Sequence, residues 1–213
     1  MRRLKLFSML LLLLLGVGHV WGATPDVKTD VMYAKGFAGY TTGSYSAGGT
    51  DRGPVVANGT NATGVTYCMQ SFNGSNGQVK GNGSGAANFN CRNTTTKSGY
   101  YISKVTLKVK TGTIDGSTSG RSVVYFGTSA FGNPSTAPTG TATTASPNSS
   151  GQSTLTWTNT NENVSYFILY NLKTANAAYS DNATNSLKVE WTEKSGSSKQ
   201  TFFLTHIRPH LTC

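Results

Sequence analysis

Charge and histidine are scarce in this chain. Only 12% of its 213 residues are charged, eight of them Asp or Glu, and the three histidines are His19, His206 and His210. With none between the two ends, a Ser-His-Asp or Cys-His arrangement cannot be assembled in the body of the protein. His206 and His210 have the i, i+4 spacing of helical metal ligands. Pro209 argues against a helix there, and a closed metal site needs further ligands. No pair of carboxylates is singled out for glycoside hydrolysis. Asp51, Asp115 and Asp181 stand beside Gly, Arg or Asn in expected loops, where turn formation accounts for them. Glu190 falls on the outward face of an expected strand, and Glu193 follows its end. The glycine clusters at 81–85 and 116–120 lack the strand-to-helix setting of a phosphate loop. No catalytic residue, metal site or cofactor is assigned.

Long apolar runs are also missing, with one exception, Leu6 to Gly18, which is shorter than the roughly 20 residues of a spanning helix. It follows Arg2, Arg3 and Lys5 and leads into Val20-Trp21-Gly22-Ala23. That is the three-part layout of a secretory signal peptide. Cleavage is expected after Gly22, which puts Val20 and Gly22 where compact side chains are wanted. Cutting after Ala23 would put Trp21 in such a position. No cysteine lies near the cut, so a lipid anchor is not expected. The expected product is secreted or held at the cell surface, without a transmembrane anchor.

A net charge of +10 invites a nucleic-acid reading. The leader carries three of the 18 basic residues and the segment from Lys194 onward three more, which leaves twelve against eight acids in 23–193. Lys104, Lys108 and Lys110 fall on one face of an expected strand, which reads as a solvated face rather than a phosphate track. Nucleic acid is therefore not an expected partner.

Cysteine is sparse too: Cys68, Cys91 and Cys213. In an oxidising compartment Cys68 and Cys91 are candidates for a disulfide. They serve equally as two buried free thiols, because spacing does not establish geometry.

What the chain does have is Gly (25 residues), Thr, Ser and Asn between short runs of Val, Thr, Tyr, Phe and Trp. The first group favours turns and the second favours strands. Residues 23–30 read as an unstructured lead-in and Val31–Phe37 as a first strand. Residues 38–65 read as loop, broken by Gly48-Gly49 and Gly53-Pro54. Val65–Met69 and Ala87–Cys91 are short strand candidates around a glycine-rich loop at 73–88. The clearest period-2 pattern is Ile102–Lys110, with Val105, Leu107 and Val109 on one face. Ser122–Gly127, Thr154–Trp157, Tyr166–Leu172 and Leu187–Trp191 complete the set. No long 3.6-residue apolar period occurs after the leader. The pattern predicts an all-β, antiparallel β-sandwich, jelly-roll-like, with long Gly/Asn/Ser-rich loops. The organisation is 1–22 leader, 23–193 sandwich domain and 194–213 linker and short tail.

The series 101–109, 124–129, 166–171 and 187–191, with Asp30–Tyr33 and Gly39-Tyr40 as an opening strand, resembles a β-sandwich domain of secreted Bacteroidetes proteins. Those domains are similar in outline to carbohydrate-binding modules and adhesin domains and accompany secreted nucleases, proteases or surface repeats. The resemblance covers residues 30–192 and implies a fold rather than a chemistry. Such chains continue into another domain or a sorting segment. This one stops at Cys213, with truncation as one explanation.

Aromatic residues are the remaining lead. Tyr125, Trp157, Tyr166, Tyr170 and Trp191 sit in strands and are expected in the core. Tyr40, Tyr45, Phe72, Phe89, Phe131 and Tyr179 sit in or beside loops. Such rings stack on sugars, or they pin long loops to the sandwich. The expectation is a non-catalytic module that binds a glycan or another surface ligand through Tyr40, Tyr45, Phe72, Phe131 and Tyr179. The alternatives are a structural or adhesive domain with protein partners, or an orphaned accessory domain of an exported nuclease or protease.

Overall fold

Alternating apolar residues build two antiparallel sheets whose inner faces share one core. The computed structural model describes residues 24–46, 50–79, 88–117, 122–133, 138–170, 172 and 178–197. The expected leader, the two C-terminal histidines and Cys213 lie outside the described residues. So do the remaining residues of the expected tail from 198 onward. A compact unit runs from Asp26 to Ser197. In chain order its strands are β1 (Val27–Met32), β2 (Arg52–Val56), β3 (Thr66–Gln70), β4 (Phe72–Asn73), β5 (Gln78–Val79) and β6 (Asn90–Asn93). They continue with β7 (Tyr100–Lys108), β8 (Val123–Gly127), β9 (Thr154–Thr158), β10 (Tyr166–Tyr170), β11 (Ala178–Tyr179) and β12 (Leu187–Glu193). Every pairing among them is antiparallel. One sheet runs β1-β12-β7-β9, a second β2-β3-β6-β10-β8, and a small third β11-β5-β4. The expected all-β, antiparallel, sandwich-like fold is what the chain forms. Among the described residues no helix is long and apolar enough to cross a membrane.

Register shows how the core is filled. In the four-stranded sheet Leu187 faces Leu107, which faces Leu155, and Val189 faces Val105, which faces Trp157. Directly opposed residues share a face, so these rows form one apolar surface, and all six side chains are buried. Glu190, Lys104, Thr106 and Thr156 take the other face. The five-stranded sheet contributes Tyr67, Met69, Cys91, Leu169 and Val124 to the same core. Trp157 and Trp191 are fully buried, as expected from the pattern. Tyr125, Tyr166 and Tyr170 are not core residues: they are half-buried on the opposite face of their sheet. Their neighbours Val124, Phe167 and Leu169 take the inward positions.

One fully buried inward position is charged. Asp30 faces Val189 across the β1–β12 ladder and so falls on the core row, with no exposed surface. Its carboxylate is fully engaged. Oδ1 accepts the backbone N–H groups of Ala62 and Thr63 (2.8 and 3.1 Å). Oδ2 accepts the hydroxyls of Thr63 and Tyr67, both at 2.5 Å. The Tyr67 oxygen in turn accepts from Trp191 Nε1 at 3.2 Å. Burial and then the Asp30 charge push the Tyr67 phenol well above its usual range. A buried carboxylate is tolerated only when so satisfied. This one joins the edge strand of one sheet to an interior strand of the other.

The same residue explains a misplaced strand. The expected first strand at Val31–Phe37 is Val27–Met32 instead, and 27–30 is no lead-in. Lys28 and Asp30 occupy inward-facing ladder positions, so the apolar alternation that marks a half-buried strand is absent. β2 lies within the expected 38–65 loop and β5 within the 73–88 loop.

Cys68 and Cys91 are both free and buried. Cys68 faces Arg92, whereas Cys91 faces Met69. Their side chains therefore leave opposite faces of the sheet, and no disulfide forms. Cys91 Sγ lies 3.6 Å from Met32 Sδ within the core. Burial pushes both thiols up, Cys91 furthest, so neither has the thiolate character of a reactive cysteine.

Asp30→Ala deprives four donors of their acceptor, the buried Tyr67 hydroxyl among them, and is expected to cost about 3–4 kcal/mol, against about 1–3 kcal/mol for Tyr67→Phe. Urea unfolding of the two single variants and the double variant checks this. The double variant should lose less than the sum, because both changes remove one shared hydrogen bond.

Candidate functional site

The five-stranded sheet has a second face, and part of it is covered. All four residues of β6, and Tyr67–Gln70 of β3, are buried, although only alternate residues reach the core. The opposite face carries the row Cys68, Arg92, Ile168, Tyr125, read directly from the ladder. Ile168 and Cys68 are 0% and 3% exposed, yet neither belongs to the core cluster.

Part of the cover comes from Asp51, which precedes β2, and from the segment after β8. Arg92, whose side chain is 5% exposed, forms a forked ion pair with Asp51. Its Nη1 donates to Oδ1 at 2.9 Å and its Nη2 to Oδ2. Nε of the same guanidinium donates to the Phe131 carbonyl at 3.1 Å. Gln70 Nε2 donates to Asp51 Oδ1 at 2.8 Å and to Asn133 Oδ1. Burial alone would raise the Asp51 carboxyl, but the hydrogen bonds from Arg92 and Gln70 outweigh it and hold it below the usual value of 3.8. The segment 131–133 is thus held to the sheet by the two polar side chains beneath it.

Beside this strut opens a cleft of about 550 Å³. Tyr125–Asn133 and Pro138–Thr141 line it, and its volume falls within the range of small-molecule sites, about 300–1,000 Å³. Tyr125 and Phe131 bring rings, while Thr128, Ser129, Thr139, Thr141 and Asn133 bring hydroxyls and an amide; Phe126 lines the cleft too and packs against the core. The walls are tied to the framework. Ser165 N–H donates to the Gly127 carbonyl (3.1 Å) and Thr143 N–H to the Val124 carbonyl (2.7 Å). The approach at Gly127 is close: a Cβ there would lie 3.0 Å from Phe131 Cζ. The ring therefore rests against bare backbone.

Of the five aromatic residues expected to bind, Phe131 alone lines this cleft. Phe72 is fully buried in β4 and packs edge-on against Phe37 and Tyr40, at centroid distances of 6.1 and 5.5 Å. That geometry makes it a core residue, correcting its assignment as a ligand contact. Tyr40 is half-buried, its ring carrying the Arg52 guanidinium at 4.2 Å and its hydroxyl donating to the Ser44 carbonyl at 3.0 Å. Tyr45 has its phenol raised by burial and by the neighbouring Tyr179, which belongs to β11. Tyr40 and Phe72 thus pin a loop to the core, the second role open to such rings.

The signal for the cleft lay in plain sight. From Ser122 to Asn161 the chain has no Asp, Glu, Lys, Arg or His, and every residue lining the cleft falls inside that run. Elsewhere three lysines stand in ion pairs: Lys28 with Asp26, Lys104 with Glu190, and Lys110 with Asp181. No group of three or more His, Cys, Asp or Glu side chains placed to hold a metal occurs among the described residues. No family model, curated protein or solved structure matches the chain.

A lowered folded-state value for Asp51 means that its contribution to stability is present above the ordinary carboxylate pKa of 3.8 and is lost as pH falls through the lower, folded value. Asp51→Asn should therefore melt below wild type at neutral pH, and the gap should narrow as pH drops beneath 3.8. Thermal melts of both proteins across that range measure it, and a gap constant with pH would refute the assignment.

Proposed function

We propose that this chain is a secreted or cell-surface binding module, without catalytic activity, whose ligand is a glycan held in the cleft beside β8. The observation that carries the reading is the composition of that cleft. Flat rings from Tyr125 and Phe131 stand beside a dense set of hydroxyl and amide groups. Sugars present both an apolar ring face and a rim of hydroxyls, so both kinds of wall find a counterpart. Pinning of the 131–133 segment by Arg92 and Gln70 supports it, because a site already ordered loses less freedom on binding. A non-catalytic role is supported by the state of Asp51. It is the carboxylate tied to the cleft wall, and its oxygens are taken up by Arg92 and Gln70. A ligand other than nucleic acid is supported by the paired state of Lys28, Lys104 and Lys110. Export rests on the layout of residues 1–22.

Retention of the purified chain on cellulose, chitin, xylan and mannan tests this. Binding to at least one is expected, and Phe131→Ala should weaken it roughly tenfold or more, since truncating an anchoring ring costs about 2 kcal/mol. Tyr40→Ala should leave affinity unchanged. Retention lost on Tyr45→Ala or Tyr179→Ala but not on Phe131→Ala would move the site to those tyrosines. No retention of folded protein would favour the adhesive reading, with protein partners.

A further inference from the structure

We propose that the cleft selects neutral glycans and rejects acidic ones, and that the Asp51–Arg92 pair is a charge-cancelled strut rather than an anion receptor. This rests on the glycan reading above. Among the described residues, none that lines the cleft carries a charge at neutral pH, and the run Ser122–Asn161 that supplies them holds no charged residue or histidine. The cation tied to the cleft wall is Arg92, and each of its three nitrogens is engaged. Nε meets the Phe131 carbonyl, and Nη1 and Nη2 meet the two Asp51 oxygens. With a side chain 5% exposed, it has no free edge to offer a ligand carboxylate or sulfate. An anionic group entering the cleft would give up water without finding a countercharge, which is strongly unfavourable. A neutral hydroxyl exchanges water for the Thr, Ser, Asn and backbone groups that line the walls at little net cost.

Local and global electrostatics predict opposite outcomes here, which makes the claim sharp. A chain with net charge +10 attracts polyanions non-specifically through its overall field. That attraction fades as salt rises, the Debye length falling from about 8 Å at about 0.15 M to about 3 Å at about 1 M. Binding in an uncharged cleft does not respond in that way.

The full chain is compared on two neutral polymers, xylan and mannan, and two acidic ones, polygalacturonate and chondroitin sulfate, at both salt concentrations. The expected result is neutral retention that survives high salt and is lost on Phe131→Ala. Any acidic retention should vanish at high salt and ignore Phe131→Ala. Ser129→Lys places a cation on an exposed position of the cleft and should raise acidic retention several-fold at the lower salt while the melting temperature stays put. Acidic retention that exceeds neutral retention, resists high salt and depends on Phe131 would overturn the selectivity while leaving the cleft as the glycan site. Retention of neither class by folded protein would overturn the glycan reading, and the selectivity with it.

Discussion

Everything in this sandwich turns on a carboxylate that ought not to be in its core. Asp30 occupies an inward position of an edge strand, on the row that continues with Val189, Val105 and Trp157. Leaving it there unpartnered would cost far more than a small domain has to spare. The fold supplies four donors instead: two N–H groups and a hydroxyl from residues 62–63, and the Tyr67 hydroxyl from the opposite sheet. The turn between β2 and β3, the edge strand β1 and strand β3 of the second sheet are thereby fixed together. Backbone bonds between Val31 and residues 59–60 close the same side. An apolar residue at position 30 could contribute as much burial, but would not specify which turn and which tyrosine meet the edge strand.

The opposite side of the sandwich is closed differently. Thr143 pairs with Val124 of β8 and Ser146 with Thr156 of β9, so one segment bridges the outer strands of both large sheets. It follows directly on the residues that wall the cleft. The cleft is thus what remains at the β8 margin where a connection travels from one sheet edge to the other. Its polar, glycine-rich lining suits a segment whose backbone must satisfy itself without a continuous ladder partner.

The long strands were legible because each keeps one clean face. β9 and β12 alternate apolar and polar residues throughout, and β7 does so from Lys104 onward, so their inward sets there are those the period-2 pattern selects; a bulge at Ser103 turns Ile102 inward as well, against the period. β10 shows the limit of that logic: its residues are apolar on both sides, and sequence cannot say which side meets the core. Tyr166 and Tyr170 face away from it, and Ile168 is buried by the cover on the outer face rather than by the other sheet. β4, β5 and β11 have two residues each, too few for any period, and the Gly53-Pro54 breaker hides β2. Face parity also decides the cysteines. Positions 68 and 91 invite pairing by separation along the chain, yet they sit one step out of register, which in a sheet means opposite faces. Of the rings expected in or beside loops, Phe131 lines the cleft, whereas Phe72 is fully buried. An aromatic residue beside a turn can cap the core as readily as it can face a ligand.

The buried Arg92–Asp51 pair is best understood through position rather than stability. A desolvated ion pair contributes little net folding energy compared with apolar residues of similar size, and its burial next to the core looks wasteful on that count. What an apolar pair could not do is hold a loop carbonyl. Arg92 meets the Phe131 oxygen with the one nitrogen the carboxylate leaves over, so the fork that cancels its charge also fixes the direction of the third bond. Replacing arginine by lysine would keep the charge and lose that directionality, because an ammonium group has no planar fork. The pair therefore aims the backbone that carries the Phe131 ring, while contributing no net charge to the space the ring overlooks. A wall set by charged groups and a lining free of charge are two consequences of the same geometry.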